Sequence, residues 1–114
     1  MKTIRVKSWL DRPSNFSGIV IEEDNDKFWY QNGLFHRADG PAIEWSNGTK
    51  MWYQNGQLHR LDGPAIASGE KRYFVLDREL TENQFQVFQY MWGTTLLEKT
   101  DELMRIFVKL VLVK

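Results

Sequence analysis

The sequence predicts an α+β protein that is mainly β: a ribbon of about three stacked antiparallel β-hairpins, followed by a C-terminal helical segment. The stretch WYQNGLFHRADGPAI at 29–43 recurs as WYQNGQLHRLDGPAI at 52–66, which gives a repeat of 23 residues. Asn-Gly pairs, which favour tight hairpin turns, punctuate both copies. Beyond residue 80 the apolar residues change from alternation to helical spacing. We therefore expect a single domain over 1–114, with hairpin repeats at 17–80 and a helical cap or oligomerisation segment at 81–114.

The composition is that of a neutral protein without cysteine. Fifteen Lys and Arg residues balance fifteen Asp and Glu residues, which argues against binding to long nucleic acids. The absence of cysteine excludes disulfides, thiolate metal sites and a thiol nucleophile. The first residues lack the apolar core of a signal peptide, and no stretch is long and apolar enough to span a bilayer. We expect a soluble, cytoplasmic protein without membrane contact.

The strands and turns of the central repeats follow from the Asn-Gly pairs. The expected strands are 42–46, 49–54 and 57–60. The expected turns are Asn32-Gly33, Asn47-Gly48 and Asn55-Gly56. Because Asn and Gly both accept positive φ, each turn should be of type I′. The DGP step then breaks the ladder, since proline cannot donate a backbone hydrogen bond.

Two degraded units flank the central copies. Residues 17–30 align with 39–53 if one residue is dropped, which puts Asn25-Asp26 at a hairpin turn. Downstream, Ser68-Gly69 marks another turn, and Tyr73-Phe74 replaces the Trp-Tyr pair. Atypical outer units are expected in a repeat fold, because its ends face solvent or a cap.

Alternation along the strands predicts the two faces of the ribbon. One face should carry Phe28, Tyr30, Met51, Tyr53, Arg72 and Phe74. The other should carry Trp29, Trp52 and Tyr73. A further ladder is expected from Ile21, Ile43 and Ile66. Aromatic stripes of this kind are mostly core with a half-exposed platform.

The C-terminal third should begin with a helix. Thr81 and Gln84 form a capping box, Phe85, Phe88 and Trp92 share one helical face, and Gly93 should end the helix. A second capping box spans 95–98, and 105–113 is either helix or a β-branched strand. This tail has more apolar surface than one ribbon covers, so we expect a homo-oligomer. The contact residues would be Leu103, Phe107, Leu110 and Val111.

The order of these motifs resembles a known family. The pattern W-x-N-G-x-x-H, followed by D-G and an aromatic-flanked N-G hairpin, resembles MORN repeats, which form ribbons of stacked β-hairpins. The longer WYQNGxxHRxDGPAI is more similar to a MORN-like variant in small proteins of tailed phages and their hosts, as is the junction LTENQF at 80–85. The resemblance covers 17 to about 92. Arginine follows His36 and His59 where ordinary MORN repeats have glycine, so the resemblance does not extend to an expectation of lipid or membrane binding. The resemblance implies a fold rather than an activity.

The groups His36-Arg37-Ala38-Asp39 and His59-Arg60-Leu61-Asp62 are the candidates for chemistry. One interpretation is a His-Asp acid-base pair that acts on a phosphodiester. The other is structural: the aspartate accepts backbone hydrogen bonds in the DGP turn, and His and Arg pack against aromatic side chains. Copying along a ladder favours the structural interpretation, because active sites converge from distinct residues. Two histidines are too few for zinc, and Asp24-Asn25-Asp26 lacks the rest of a calcium loop, so neither a metal nor a cofactor is expected.

Function then rests on a binding surface rather than on catalysis. The candidate binding residues are Trp29, Tyr30, His36, Arg37, Trp52, Tyr53, His59 and Arg60. We expect a non-catalytic, phage-type accessory protein that inhibits a host protein in the host cytoplasm, with counter-defence as its sharpest form. The alternatives are a sponge for a nucleotide signal and a small His/Asp-dependent enzyme.

Overall fold

The computed structural model describes residues 2–7, 14–94 and 105. It confirms a mainly β, α+β protein in which hairpins precede one helix. The strands are β1 Thr3–Val6, β2 Gly18–Glu22, β3 Lys27–Gln31, β4 Leu34–Phe35, β5 Ile43–Glu44, β6 Lys50–Met51, β7 Tyr53–Gln54, β8 Gln57–Leu58, β9 Ile66–Ala67, β10 Lys71–Val75 and β11 Arg78–Leu80; the helix is α1 Glu82–Thr94.

The strands form one ribbon-like sheet, in the order β1-β2-β3-β5-β6-β9-β10-β11. In addition, β4 pairs with β3, and β7 and β8 make a separate hairpin. All pairs are antiparallel except β1 with β2. The repeat pattern did not indicate β1, because β1 lies before the repeat segment 17–80 and pairs with its first strand. Among the described residues, no helix is long and apolar enough to cross a bilayer.

One row of side chains crosses the sheet and defines the register of the repeat. It runs Val20, Phe28, Ile43, Met51, Ile66, Arg72. The expected ladder through Ile21 is therefore wrong, since Val20 stands one period before Ile43 and is fully buried. The degraded first unit therefore aligns with the first central copy without dropping a residue. The turn between β2 and β3 has the same length as the turn between β5 and β6. In the first turn Asn25 donates to the Glu22 carbonyl, as Gly48 does to Trp45 in the second.

The Asn-Gly turns are of two kinds. Asn32-Gly33 and Asn55-Gly56 have φ of 52° and 80°, and of 50° and 81°, which confirms type I′. Asn47-Gly48 is not type I′, because Gly48 alone has a positive φ, of 94°. The Gly48 amide donates to the Trp45 carbonyl, and the Trp45 amide donates to the Thr49 carbonyl. These two bonds are typical of a type I turn that is followed by a bulge at the glycine.

The expected strand 49–54 is broken at Trp52. Lys50 and Met51 pair with β5 and β9 in the main sheet, whereas Tyr53 and Gln54 pair with β8 alone. The expected strands 42–46 and 57–60 are likewise shortened to β5 and β8. The chain leaves the sheet at Trp52 so that a second hairpin can pack beside it, and alternation alone cannot signal such a bend.

The core is divided into two clusters of buried side chains. The larger lies under the first two units and contains Phe16, Val20, Phe28, Tyr30 and Ile43. Phe35 extends it, with its ring centroid 5.0 Å from that of Tyr30 and 5.2 Å from that of Tyr53. The smaller cluster joins the last hairpin to the helix and contains Val75, Leu80, Phe85 and Phe88.

Helix α1 begins with the expected capping box. The Thr81 amide donates to Gln84 Oε1 at 2.9 Å, and the Gln84 amide donates to Thr81 Oγ1 at 3.1 Å. Phe85 and Phe88 are buried as expected, and the helix ends at Thr94, one residue past Gly93. Arg105 has helical backbone. The side chain of Trp92, the second capping box, the remainder of 105–113 and the oligomer contacts Leu103, Phe107, Leu110 and Val111 lie outside the described residues.

Candidate functional site

The two HRxDGP segments form matching loops on one face of the sheet. We call 36–41 the first loop and 59–64 the second loop, and we call the sheet face that carries Trp29 and Trp52 the tryptophan face. Each loop follows a short strand, β4 or β8, and returns the chain to the main sheet. The histidine amide of each loop donates to the tryptophan carbonyl of its own copy, at 3.0 Å in both.

An arginine clamps each loop onto its tryptophan. The Arg37 guanidinium lies 4.0 Å over the Trp29 ring, and that of Arg60 lies 3.8 Å over Trp52. Arg37 Nε donates to Asp39 at 3.1 Å, and its NH1 donates to the Pro41 carbonyl at 3.1 Å. A guanidinium that is stacked and bonded on both sides is well fixed, and a lysine could not reproduce these contacts.

The second loop repeats this clamp. Arg60 Nε donates to Asp62 at 2.9 Å, and NH1 donates to the Pro64 carbonyl at 3.1 Å. A Cβ on Gly63 would lie 2.9 Å from the Arg60 Cζ, and one on Gly40 would lie 3.0 Å from the Arg37 Cζ. A side chain at the glycine of either DGP step would therefore press on the guanidinium of the clamp.

The histidines link each unit to the next. His36 Nδ1 accepts from the Asn55 amide, and His59 Nδ1 accepts from the Leu76 amide, both at 3.0 Å. One unit earlier, Ser17 Oγ accepts a hydrogen bond from the Asn32 amide at 2.9 Å. A side-chain acceptor thus holds the turn of the following unit at three successive places along the ribbon.

This geometry assigns structural roles to the motif that was the candidate for catalysis. The carboxylates of Asp39 and Asp62 are bonded to the arginines of their own loops, not to backbone amides as expected. The Nδ1 atoms of His36 and His59 are occupied by backbone donors. These bonds give the Nδ1 atoms and the two carboxylates partners within the fold.

The other predicted binding residues lie on different surfaces. Trp29 and Trp52 are half-buried beneath the arginines. Tyr30 is buried and Tyr53 half-buried within the larger core cluster, on the opposite face. Burial raises the pKa of Tyr53 above its ordinary value, and the charge of Asp77 adds to the rise. The two tyrosines therefore belong mainly to the core.

A groove of about 800 Å³ lies between the two loops, and we call it the interloop groove. One wall is formed by 37–41 and the other by 59–62, with Trp52 and Gln54 between them. Gln54 also donates to the Arg37 carbonyl at 2.8 Å, which ties this region to the first loop. A smaller groove of about 520 Å³ lies before the first loop, where Ser17 and Gly18 replace the preceding loop.

Two further features were not anticipated as sites. On the opposite face an apolar groove of about 450 Å³ is lined by aromatic side chains, and Leu34 and Trp45 beside it are 49 % and 36 % exposed. The carboxylates of Glu22, Asp24 and Asp26 approach within 4.8 Å of one another. Asp26, however, accepts from the Ser46 amide at 2.7 Å, so it has a structural role in joining adjacent turns.

A row of charged residues crosses the tryptophan face. Successive cross-strand partners are Lys27, Glu44, Lys50, Ala67 and Lys71. Glu44 Oε2 also lies 3.1 Å from NH1 of Arg37. The signal for this feature was present in the sequence, because the two copies diverge directly after PAI, into Glu44 in one and Ala67 in the other.

Comparison with known proteins gave no match to any family model, curated protein or solved structure.

Proposed function

We propose that this chain is a non-catalytic binding protein that holds a partner protein in the interloop groove. The observation that carries the proposal is the groove itself, about 800 Å³ between two loops that are each fixed by an arginine clamp. Walls that are ordered before binding reduce the conformational entropy lost on association. The resemblance to MORN-like phage proteins extends the proposal to a host protein as the partner, with counter-defence as the biological role.

The chemistry of the groove favours a protein surface over a nucleotide. Arg37 and Arg60 each have an aspartate partner, so the walls carry no net positive charge. The outer faces of Trp29 and Trp52 are covered by the guanidinium groups, which leaves these rings unable to stack on a base directly. Amide side chains such as Gln54 and Gln57 line the groove and suit hydrogen bonds to a polypeptide.

A blocking variant tests the groove directly. Ala38 is exposed on the first loop and borders the interloop groove, so Ala38→Arg should obstruct it without touching either clamp. The immobilised protein would be exposed to bacterial lysate, and bound proteins would be quantified by mass spectrometry. We expect the native chain to enrich a defined protein and Ala38→Arg to lose it. Gln86→Arg, on an exposed position of α1, is the matched control and should retain it.

Two results would contradict the proposal. One is equal enrichment by the native chain and both variants, which would place binding elsewhere. The other is a small molecule, extracted from the purified native protein, that Ala38→Arg fails to retain; this would favour the nucleotide sponge.

The double change His36→Asn and His59→Asn tests the enzyme alternative. It should reduce the biological effect less than Ala38→Arg does. A measurable turnover that the double histidine variant alone abolishes would favour the enzyme.

We also propose that the chain self-associates through Leu103, Phe107, Leu110 and Val111. The support is the sequence: between 103 and 113 only Arg105 and Lys109 are charged. Exposing large apolar side chains costs about 1.5–3 kcal/mol each relative to burial, and a symmetric dimer would bury them. Light scattering should give a dimer for the intact chain, and truncation after Thr100 should give a monomer or an insoluble product. A monomeric intact chain would contradict self-association.

A further inference from the structure

The two arginine clamps differ in one partner. NH1 of Arg37 contacts both the Pro41 carbonyl and the Glu44 carboxylate, each at 3.1 Å. In the second copy the residue one period after Glu44 is Ala67. Within the described part of the chain, the Arg60 guanidinium contacts Trp52, Asp62 and the Pro64 carbonyl, with no counterpart of Glu44. A carboxylate is therefore present beside one clamp and replaced by a methyl group beside the other.

The neighbouring strands make this substitution electrostatically important. Glu44 is the cross-strand partner of Lys27 and Lys50, so opposite charges alternate along that part of the row. Ala67 is the cross-strand partner of Lys50 and Lys71, both exposed. Directly opposed side chains lie about 4.5–5.5 Å apart at Cβ, so the two lysines flank the alanine.

Beside Ala67 the part of the chain that the structure describes supplies no carboxylate of its own that corresponds to Glu44. In the described ranges neither Lys50 nor Lys71 forms an ion pair, and Asp62 is bonded to the Nε side of Arg60. The Arg72–Glu79 pair belongs to the opposite face, since Arg72 aligns with Ile66. Three cations thus surround a small side chain at the position where the first copy supplies its own carboxylate.

We propose that Ala67 marks a binding site for a carboxylate of the partner, an Asp or Glu side chain that takes the place of Glu44. Arg60 NH1 would donate to it, and Lys50 and Lys71 would flank it. Glu44 is the internal template, because its carboxylate already occupies the equivalent site beside Arg37. The inference deepens the proposed function, on which it rests for the nature of the partner: the surface that binds here is acidic.

A peptide titration tests the site without requiring the cellular partner. The full-length protein would be labelled with ¹⁵N and titrated with a capped triglutamate peptide at constant ionic strength, with capped triglutamine as the neutral control. We expect saturable shifts at the amides of Lys50, Ala67 and Lys71 and at Arg60 Nε, and no such shifts with triglutamine. Screening predicts that these shifts weaken as salt is raised.

Two reciprocal variants make the test specific. Ala67→Glu fills the site with the chain's own carboxylate and should weaken triglutamate binding by about tenfold or more, because like charges then oppose each other. It should also raise the melting temperature, a readout that does not depend on the peptide. Glu44→Ala should open a second site, with new shifts around Lys27 and Arg37.

Three results would overturn the inference. They are equal triglutamate binding by the native chain and Ala67→Glu, shifts spread evenly over all surface lysines, and a tighter response to inorganic phosphate than to triglutamate, which would assign the site to phosphate instead. None of them bears on the interloop groove, which Ala38→Arg tests separately. Conversely, loss of the groove proposal leaves the triglutamate titration unchanged, so the two failures are distinguishable.

Discussion

The second copy and the last hairpin have the same strand and turn arrangement, but different groups cover the aromatic ring on the tryptophan face. In the second copy, Arg60 lies over Trp52 and the DGP loop follows. In the last hairpin, Tyr73 stands in the place of Trp52, and the Phe85 ring of α1 lies over it at a centroid distance of 4.8 Å. The helix therefore takes the position that the arginine clamp would occupy, and Gln89 bonds it to the Leu61 carbonyl of the second loop.

The sequence change behind this difference is small. By register, Leu80 takes the position of His59 and Thr81 that of Arg60. A buried leucine cannot accept a backbone hydrogen bond from a further unit, and a threonine in place of the arginine begins the helix. The motif HRxDGP therefore continues the ribbon, whereas LTENQF ends it with an apolar cap.

The opposite face shows the same transition. Where the earlier units have Phe28 and Met51, the last hairpin has Arg72, whose side chain forms an ion pair with Glu79 on the returning strand. Both nitrogens of the Arg72 fork donate to this carboxylate at 2.9 Å. An exposed ion pair replaces an apolar contact in this unit, which holds the last hairpin in the described part of the chain.

The largest expected effect is on the helical cap. Phe85→Ala removes the cover of Tyr73 and leaves a cavity in the smaller core cluster, so it should lower the free energy of unfolding by about 3–5 kcal/mol. Chemical denaturation followed by tryptophan fluorescence measures this. The matched control is Val87→Ala on the exposed side of the same helix, which should have little effect. Equal losses for the two variants would mean that the helix is not the cap.

The turns give the next effect. Gly56 has φ of 81°, so Gly56→Val should destabilise by about 1–3 kcal/mol, because a β-branched residue resists positive φ. Gly48→Val, at φ of 94°, should behave similarly in its bulge. Gly69 has open space around it and no positive φ, so Gly69→Val is the control. If thermal melting does not separate Gly56→Val from Gly69→Val, the type I′ assignment is incorrect.

The histidine links should differ between the copies. His59→Ala removes the acceptor of a partly buried bond to the Leu76 amide and should cost roughly 1–2 kcal/mol of unfolding free energy. His36→Ala should cost less, because its bond to the Asn55 amide is exposed and water can replace it. Equilibrium denaturation of both variants makes the comparison. A larger loss for His36→Ala would reverse the proposed order.

The smallest effect concerns the ion pair at the end of the ribbon. The hydrogen bond from Arg72 holds the pKa of Glu79 below its ordinary value. A lowered folded-state pKa stabilises the fold above the ordinary pKa, and this stabilisation is lost as the pH falls through the folded-state value. Glu79→Gln should therefore melt at a slightly lower temperature than the native chain near neutral pH, with the difference vanishing in acid. A difference that persists in acid would show that the variant acts through packing.

Two of the turns and the start of the helix could be predicted from the sequence, because each depends on residues that are neighbours in the chain. The type I′ turns follow from the conformations that Asn32-Gly33 and Asn55-Gly56 accept, and the helix start follows from the reciprocal bonds of Thr81 and Gln84. The site was predicted only in part. The arginines and tryptophans do meet, but as clamps within each copy, and the tyrosines lie in the core.

What the sequence by itself determined is the repeat of 23 residues, the mainly β hairpin architecture and the place where the helix begins. Alternation, turn preference and capping act over a few residues, so they are visible in a linear chain. Only the tertiary structure decided the parallel strand β1, the bend at Trp52, the linking bonds of the histidines and the contact between Glu44 and Arg37. Each of these depends on which groups meet across units, at sequence separations where the local pattern contains no information about distance.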